Sequence, residues 1–246
     1  MQNSSIELNN IKKHFGALVA VKDFTLKINS GEIVALVGDN GAGKSTLIKI
    51  ISGLYRPTSG SVLIDNKEVQ IKDPSSSKNL GIEVVYQDLA LCDQQPVYMN
   101  LFLGRETLKP VSKLLDRKKM ISETKNLINE LNISIPSVEA SISDLSGGQR
   151  QGVAIARATH WSKKIILLDE PTAALGVAET QSVENTIIKL KQKNIAILIV
   201  SHSLDQVFRL SDRICVLRRG EQIGVRETKK TNKNEIVSMI TGLQSN

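Results

Sequence analysis

The feature that most constrains the fold is a glycine-rich loop at residues 38–45, which read Gly-Asp-Asn-Gly-Ala-Gly-Lys-Ser. These residues match the complete G-x-x-x-x-G-K-[ST] pattern of a phosphate-binding loop. One apolar run, residues 33–37, precedes the loop, and another, residues 46–51, follows it. A glycine turn with an exposed lysine is the alternative interpretation, but the order of strand, loop and helix favours phosphate binding. The chain is therefore predicted to contain an α/β core.

Further apolar runs predict the other strands of that core. They lie at residues 82–85, 165–168, 195–200 and 214–217. The runs largely lack polar alternation, as expected for parallel strands that are covered on both faces. Between the second and third runs, Val183, Ile187 and Leu190 recur at helical spacing, which predicts an amphipathic crossover helix over residues 178–193. The predicted fold class is α/β, with a doubly wound parallel-sheet core of the P-loop NTPase, RecA-like type.

Two regions are predicted to flank this core within one domain that spans residues 1–246. An antiparallel β subdomain is predicted from three segments separated by turn residues: 5–8, 19–28 and 61–71. A mostly helical insertion is predicted at residues 88–158. Within it, residues 112–132 predict an amphipathic helix, because one helical face carries Met120, Thr124, Leu127, Ile128 and Leu131.

Composition narrows the function classes. The net charge is +7, but lysines and arginines are scattered and only 3% of residues are aromatic, so we expect no nucleic-acid partner. The longest strongly apolar run, residues 195–200, is far shorter than the ~20 residues that cross a bilayer, so the chain is not expected to span a membrane. Cys92 and Cys215 lack a metal or redox spacing, and residues 1–10 lack a signal-peptide pattern, which together indicate a reducing compartment.

The glycine-rich loop is predicted to bind nucleotide phosphates. Gly38, Gly41 and Gly43 permit backbone conformations that turn N–H groups toward phosphate oxygens. Lys44 supplies a positive charge for the β and γ phosphates, and the hydroxyl of Ser45 can bind Mg²⁺. The predicted nucleotide-binding residues of this segment are Gly38, Asp39, Asn40, Gly41, Ala42, Gly43, Lys44, Ser45 and Thr46.

Two acidic residues directly follow the apolar run at residues 165–168. The C-terminal end of a buried strand is where open α/β sheets bind their ligands. Asp169 can hold Mg²⁺ at this position, usually through water, and Glu170 can polarise a water for in-line attack on the γ-phosphate. A strand that simply ends in two solvated acids is the alternative, but the presence of the phosphate loop favours the catalytic interpretation.

Gln87 and His202 also follow apolar runs. An amide can bind Mg²⁺ and detect the γ-phosphate, and an imidazole can hydrogen-bond that phosphate and orient the attacking water. Most glutamines and histidines in loops are instead structural or simply exposed. Considered one at a time, Gln87 and His202 could each be either a functional or a structural residue.

A second glycine-rich turn, Leu-Ser-Gly-Gly-Gln at residues 145–149, opens a predicted helix where backbone N–H groups can again face an anion. Two separate phosphate-binding elements suggest a composite site that is shared between two subunits. The phosphate loop, the strand-end polar residues and this turn occur in an order that resembles the ATP-binding-cassette (ABC) ATPases. The resemblance extends over residues 6–242.

This resemblance implies a role for each candidate residue. The implied catalytic residues are Lys44, Gln87, Glu170 as general base and His202 as switch. The implied magnesium ligands are Ser45, Gln87 and Asp169. The signature residues, which would bind the nucleotide held by a second chain, are Ser146, Gly147, Gly148 and Gln149. Phe15 would stack on adenine, since an aromatic face recognises a flat base, although a core position is the alternative. The implied ligands are ATP and Mg²⁺.

Three segments narrow the resemblance to the ATP-binding subunits of monosaccharide importers, the ribose, xylose and fructose class. They are residues 86–89, 100–106 and 171–177. Many members of that class carry two fused cassettes, whereas this chain has one, so both sites of a dimer would be identical. Gly176 stands where most ABC ATPases have an aspartate that contacts the opposite subunit. Gly152 likewise replaces an arginine that is usual in other classes.

The resemblance also implies partners and a location. A second copy would pack head to tail around ATP, and a permease would dock near Gln87, at the cytoplasmic face of the inner membrane, with an extracytoplasmic sugar-binding protein as an indirect partner. Export, lipid transport or a soluble role on nucleic acid or ribosomes are the alternative functions. The apolar residues that follow Gln87 would either contact the permease or form the insertion's own core: Leu89, Leu91, Val97, Tyr98, Leu101 and Phe102.

Overall fold

The computed structural model describes residues 4–243, whose strands form one ten-stranded sheet. The strands are β1 (Ser4–Phe15), β2 (Leu18–Asn29), β3 (Ile33–Val37), β4 (Ser59–Ile64), β5 (Lys67–Val69), β6 (Ile82–Val85), β7 (Ile165–Asp169), β8 (Ala196–Val200), β9 (Arg213–Arg218) and β10 (Glu221–Glu227). Their order across the sheet is β5-β4-β1-β2-β10-β9-β3-β8-β7-β6. The predicted α/β fold class is therefore confirmed.

The parallel part of the sheet contains β9, β3, β8, β7 and β6 in that spatial order, and each pairs in parallel with its neighbour. Successive residues of β3 point into two different hydrophobic clusters: Val34 and Leu36 into one, Ile33 and Ala35 into the other. Burial on both faces explains why these strands appear in the sequence as continuous apolar runs. Because the strands are parallel, the loops after β3, β6, β7 and β8 emerge at one edge.

The antiparallel region is formed by β1, β2, β4 and β5, which confirms the predicted β subdomain. Strand β10 was not predicted, because it mixes charged and apolar residues. It pairs antiparallel with β9 through a two-residue turn at Arg219 and Gly220, and one parallel residue pair, Glu221 with Asp23, joins it to β2. Both turn residues have positive φ (49° and 79°), the conformation that two-residue hairpin turns use.

Eight α-helices occur within the described residues. They are α1 (Lys44–Ile51), α2 (Pro74–Asn79), α3 (Val97–Phe102), α4 (Arg117–Leu131), α5 (Gly147–Trp161), α6 (Val177–Gln192), α7 (Leu204–Leu210) and α8 (Lys233–Thr241). None of them is both long and apolar enough to cross a bilayer. The crossover helix α6 buries Val183, Ile187 and Leu190, as its spacing predicted.

Helix α4 begins five residues later than residue 112, where the sequence pattern placed its start. Asp116 is the N-cap, and its carboxylate accepts a hydrogen bond from the backbone N–H of Lys119 at 3.1 Å. A side chain that satisfies a first-turn N–H group fixes the helix start more strongly than apolar periodicity does. The predicted apolar face is buried, including Met120 and Leu131.

The segment between β6 and β7 contains α3, α4 and α5, which pack on one another. Val97, Tyr98, Leu101 and Phe102 are buried in this packing, so these four form internal core and are not exposed anchors for a partner. Leu89 and Leu91 are only partly buried. The guanidinium of Arg157 on α5 donates to the carbonyl oxygens of Leu89 (2.7 Å) and Ala90 (2.8 Å) and so ties the loop after Gln87 to α5.

Candidate nucleotide-binding site

The glycine-rich loop wraps around the side chain of Lys44. The Lys44 ammonium donates to the carbonyl oxygens of Gly38 (2.6 Å) and Asp39 (3.0 Å). Gly43 has φ 109°, and a Cβ atom at this position would lie 2.7 Å from the carbonyl oxygen of Ala20, so only glycine fits. The loop therefore holds a lysine at the N-terminus of α1, where backbone N–H groups and positive charge attract an anion.

Burial lowers the pKa of Lys44, while the carboxylates of Glu170, Asp39 and Asp169 act in the opposite direction. Within the described part of the chain, this buried ammonium is bonded to carbonyl oxygens and has no negatively charged partner in direct contact. A phosphate group would supply that partner and form charge-assisted hydrogen bonds. The chemistry of the loop thus fits nucleotide phosphates.

Strand β7 ends in the two predicted acidic residues. Burial raises the pKa of Asp169, opposed mainly by the charge of Lys44. Burial also raises the pKa of Glu170, opposed mainly by His202. The backbone of Glu170 is left-handed (φ 52°), and its N–H donates to the carbonyl oxygen of Val200 on β8 at 3.0 Å. The sheet therefore fixes the backbone from which the Glu170 carboxylate projects.

His202 lies beside Glu170, with 3.2 Å between imidazole Nε2 and carboxylate Oε1. The pair is an ion pair only when the imidazole is protonated. Oε1 of Glu170 is buried and accepts no hydrogen bond from any described residue. Buried polar oxygens are rarely left without a donor, and Nε2 of His202 can become that donor when the imidazole is protonated.

These elements surround one cavity of about 450 Å³. It is lined by Phe15, Leu18, Val19, Ala20, Asn40, Gly41, Ala42, Gly43, Lys44, Ser45, Thr46, Gln87, Asp169, Glu170, Val200 and His202. The three predicted magnesium ligands, Ser45, Gln87 and Asp169, are thus brought together. No group of three or more His, Cys, Asp and Glu side chains arranged to hold a metal is found between residues 4 and 243.

Phe15 lies at the rim of this cavity and is 41% exposed, so the alternative core position is wrong. Its ring meets that of Tyr55 edge to face, with 5.2 Å between centroids, and the Lys13 ammonium lies 4.8 Å from its centroid. An exposed aromatic ring beside a phosphate loop can stack on a flat base. Adenine stacking by Phe15 stays a prediction.

The second glycine-rich turn lies outside this cavity. Ser146 is the N-cap of α5: its hydroxyl accepts from the backbone N–H of Gln149, and its own N–H donates to the Gln149 side chain at 2.9 Å. Ser146, Gly148 and Gln149 line a separate cavity of about 220 Å³. A single chain therefore does not bring the signature residues and the phosphate loop together.

Two contacts were not found by sequence reasoning. Glu179 on α6 contacts the signature turn, accepting from the Ser146 hydroxyl at 2.9 Å. Gln206 on α7 donates from Nε2 to the Thr172 hydroxyl at 2.7 Å, which links the helix after His202 to the turn after Glu170. The only local signal was that Glu179 stands three residues after Gly176, where a carboxylate can reach back to an N-cap N–H.

The sheet, the loop after β3 and the strand-end acids define a P-loop nucleotide-binding protein. A family model described as ABC transporter matches residues 21–173, more than half of the chain. The chain belongs to the ABC transporter family of ATP-binding proteins.

Curated relatives are similar over almost the whole chain. The xylose/arabinose import ATP-binding protein of Sulfolobus acidocaldarius is 46% identical, covering 96% of this chain and 93% of that protein. The fructose import ATP-binding protein of Rhizobium meliloti is 37% identical, covering 98% of this chain and 95% of that protein. The ribose import ATP-binding protein of Clostridium tetani is 38% identical over 96% of this chain, which spans only 47% of that longer protein.

Solved structures of the same family share the fold. A nucleotide-free ATP-binding cassette from an ABC transporter has a TM-score of 0.83 at 28% identity, covering 97% of this chain and 95% of that one. A bacterial ABC transporter cassette that was solved as a dimer has a TM-score of 0.76 at 27% identity, covering 92% of this chain and 100% of that one.

Proposed function

We propose that this chain is the ATP-hydrolysing subunit of an ABC importer for a monosaccharide. The observation that carries the hydrolytic part is that the Glu170 carboxylate, whose pKa is raised by burial, lines the same cavity as Lys44 and His202. The importer part rests on relatives that are named for the import of xylose/arabinose, fructose and ribose.

Each cavity residue has a defined task in this proposal. The Lys44 ammonium exchanges the loop carbonyl oxygens for the β and γ phosphates of ATP. The Glu170 carboxylate accepts the proton of the attacking water, for which a raised pKa is an advantage. His202 holds that water and the γ-phosphate in line. Ser45, Gln87 and Asp169 would hold magnesium, which neutralises charge on the phosphates when it is bound.

The complete site requires two chains. Ser146, Gly147 and Gly148 of one chain would bind the γ-phosphate held by the phosphate loop of the other, in a head-to-tail dimer. The separate cavities of the single chain support this arrangement, as does the dimeric cassette of similar fold. ATP would then join the two chains, and its hydrolysis would release them.

A permease would dock beside Gln87. Next to the partly exposed Tyr86, a cavity of about 360 Å³ opens between β6, α2 and α5, and Leu103, Arg105 and Trp161 line it. Its mixed apolar and charged lining suits a short helix from a membrane subunit. The chain would thereby be held at the cytoplasmic face of the membrane, and it would respond to an extracytoplasmic sugar-binding protein only through the permease.

Membrane fractionation tests the transport role. We expect the chain to sediment with membranes only when the permease subunits of its own operon are co-expressed. Leu103→Glu in the cavity beside Gln87 should abolish co-purification with the permease, whereas Leu243→Glu, at an exposed position near the C-terminal end, should not. Membrane association without any permease, or tight binding to ribosomes or DNA, would contradict the importer proposal.

A further inference from the structure

The carboxylate of Glu179 binds the signature turn of its own chain. Oε1 accepts hydrogen bonds from the Ser146 hydroxyl (2.9 Å) and from the backbone N–H of Gly148 (3.3 Å). Oε2 accepts from the backbone N–H of Gly176 at 3.3 Å. One side chain thus joins the N-terminal end of α5 to the N-terminal end of α6.

This contact has the properties of anion binding. The hydrogen bonds from Ser146, Gly176 and Gly148, in that order of importance, lower the pKa of Glu179, so the carboxylate is charged at neutral pH. Gly148 leaves room for it, since a Cβ atom there would lie 2.7 Å from Cβ of Glu179. A carboxylate at a helix N-terminus is stabilised by the same N–H groups and dipole that attract phosphate.

The donors that Glu179 uses are those that the proposed composite site offers to the γ-phosphate. A phosphate and a carboxylate cannot both accept hydrogen bonds from the Ser146 hydroxyl and the Gly148 N–H. Two anions so close together would also repel each other. Glu179 can leave α5 without losing its Oε2 contact to Gly176, because that contact lies at the N-terminal end of its own helix.

We propose that Glu179 is a further functional residue of the composite site: in the separated chain its carboxylate takes the position of the γ-phosphate at Ser146 and Gly148, and ATP-driven dimer closure displaces it. This inference rests on the proposed function, because it requires the signature turn to bind nucleotide from a second copy.

ATP-dependent dimerisation measured by light scattering tests this proposal. All chains carry Glu170→Gln, so that bound ATP is not hydrolysed. The measured quantity is the ATP concentration at which half of the chains are dimeric. We expect Glu179→Gln to lower this concentration about two- to fivefold relative to the parent, the factor that corresponds to a typical charge effect at a helix N-terminus. Glu179→Asp, which keeps the charge but is too short to reach α5, should shift in the same direction.

A matched control is Glu68→Gln, which removes one charge from an exposed position on β5 and should leave the ATP requirement unchanged. Glu179→Gln keeps the side-chain size, and an unchanged far-UV circular dichroism spectrum would establish that α6 is intact. An equal or higher ATP requirement in Glu179→Gln, or parent-like behaviour of Glu179→Asp, would overturn the role proposed for Glu179. The composite site itself would still stand. If the Glu170→Gln parent itself forms no dimer with ATP, the composite site is wrong and this inference fails with it.

Discussion

At the scale of single residues, the side chains proposed to act in catalysis are also unfavourable for the stability of the folded protein. The ionisable groups of Lys44, Asp169 and Glu170 all lie in a partly buried cavity. Burial lowers the pKa of Lys44 and raises those of Asp169 and Glu170, so it disfavours the charged form of each. Such shifts cost folding free energy and are concentrated at functional sites. Replacing one of these three side chains by a neutral one should therefore raise the stability of the protein and lower its activity.

Glu170→Gln is the sharpest residue-scale test. The substitution keeps size and removes basicity, so we expect ATP binding to persist while the rate of hydrolysis falls by about 100-fold or more. Phosphate release by purified protein measures the rate, and Glu68→Gln serves as the control for charge. Near-wild-type hydrolysis by the Glu170→Gln protein would show that another group is the base.

The same substitution should stabilise the nucleotide-free protein. A carboxyl group with a raised folded-state pKa binds more protons when folded, so its contribution to stability is complete at low pH and is lost as pH rises through the folded pKa. The melting temperature of Glu170→Gln should therefore exceed that of wild type increasingly as pH rises above the ordinary glutamate pKa of about 4.3. Thermal unfolding from pH 4 to pH 7 checks this, and a difference that shrinks with pH would contradict it.

Sequence reasoning could identify most of the residues that line the cavity, but not the contact of Glu179. The phosphate loop and the strand-end acids follow local patterns, because the strand that positions each residue immediately precedes it. Glu179 and Ser146 are 33 positions apart and meet only because α5 and α6 pack together. No periodicity in the chain reports such a contact.

At the scale of elements, the strands of the parallel core were predicted from continuous apolar runs, because they are buried on both faces. Strand β10 has one half-exposed face and no apolar run, so its hairpin with β9 became visible only in the structure. The start of α4 was misplaced because the cap at Asp116 overrides the apolar pattern upstream. Continuous burial leaves a strong signal in sequence, whereas helix caps and half-exposed strands leave a weak one.

Gly152 explains how α5 packs at its buried face. A Cβ atom at this position would lie 2.8 Å from Cγ2 of Ile133, the residue that follows the C-cap of α4. A larger side chain therefore needs the loop after α4 to move. The absence of the arginine that other classes carry here is a packing requirement of this chain.

Gly152→Ala should destabilise the protein by about 1–3 kcal/mol, the usual cost of overpacking, despite the higher helix propensity of alanine. Denaturant unfolding measures this difference. In an Ile133→Ala background the clashing methyl group is absent, so the same substitution should be nearly neutral or stabilising. An equal cost in both backgrounds would exclude Ile133 as the cause.

At the scale of the whole molecule, the phosphate loop and the signature turn lie on different surfaces of one chain. The phosphate loop lies at the C-terminal edge of the parallel strands, and the signature turn opens α5 in a separate cavity. In the proposed head-to-tail dimer, the phosphate loop of each chain would face the signature turn of the other, and two identical sites would result. The composite ATP site is the feature on which the proposed function depends most.

Mixing two inactive chains tests that claim most directly. A chain with Lys44→Ala and a differently tagged chain with Ser146→Arg should each lose ATP hydrolysis alone. Their mixed dimer keeps one site with an intact Lys44 facing an intact Ser146, so tandem-tag-purified mixed dimers should regain up to about half of the wild-type rate, because one of two equivalent sites is complete. Wild-type hydrolysis by the Ser146→Arg chain alone would contradict a site that is shared between chains.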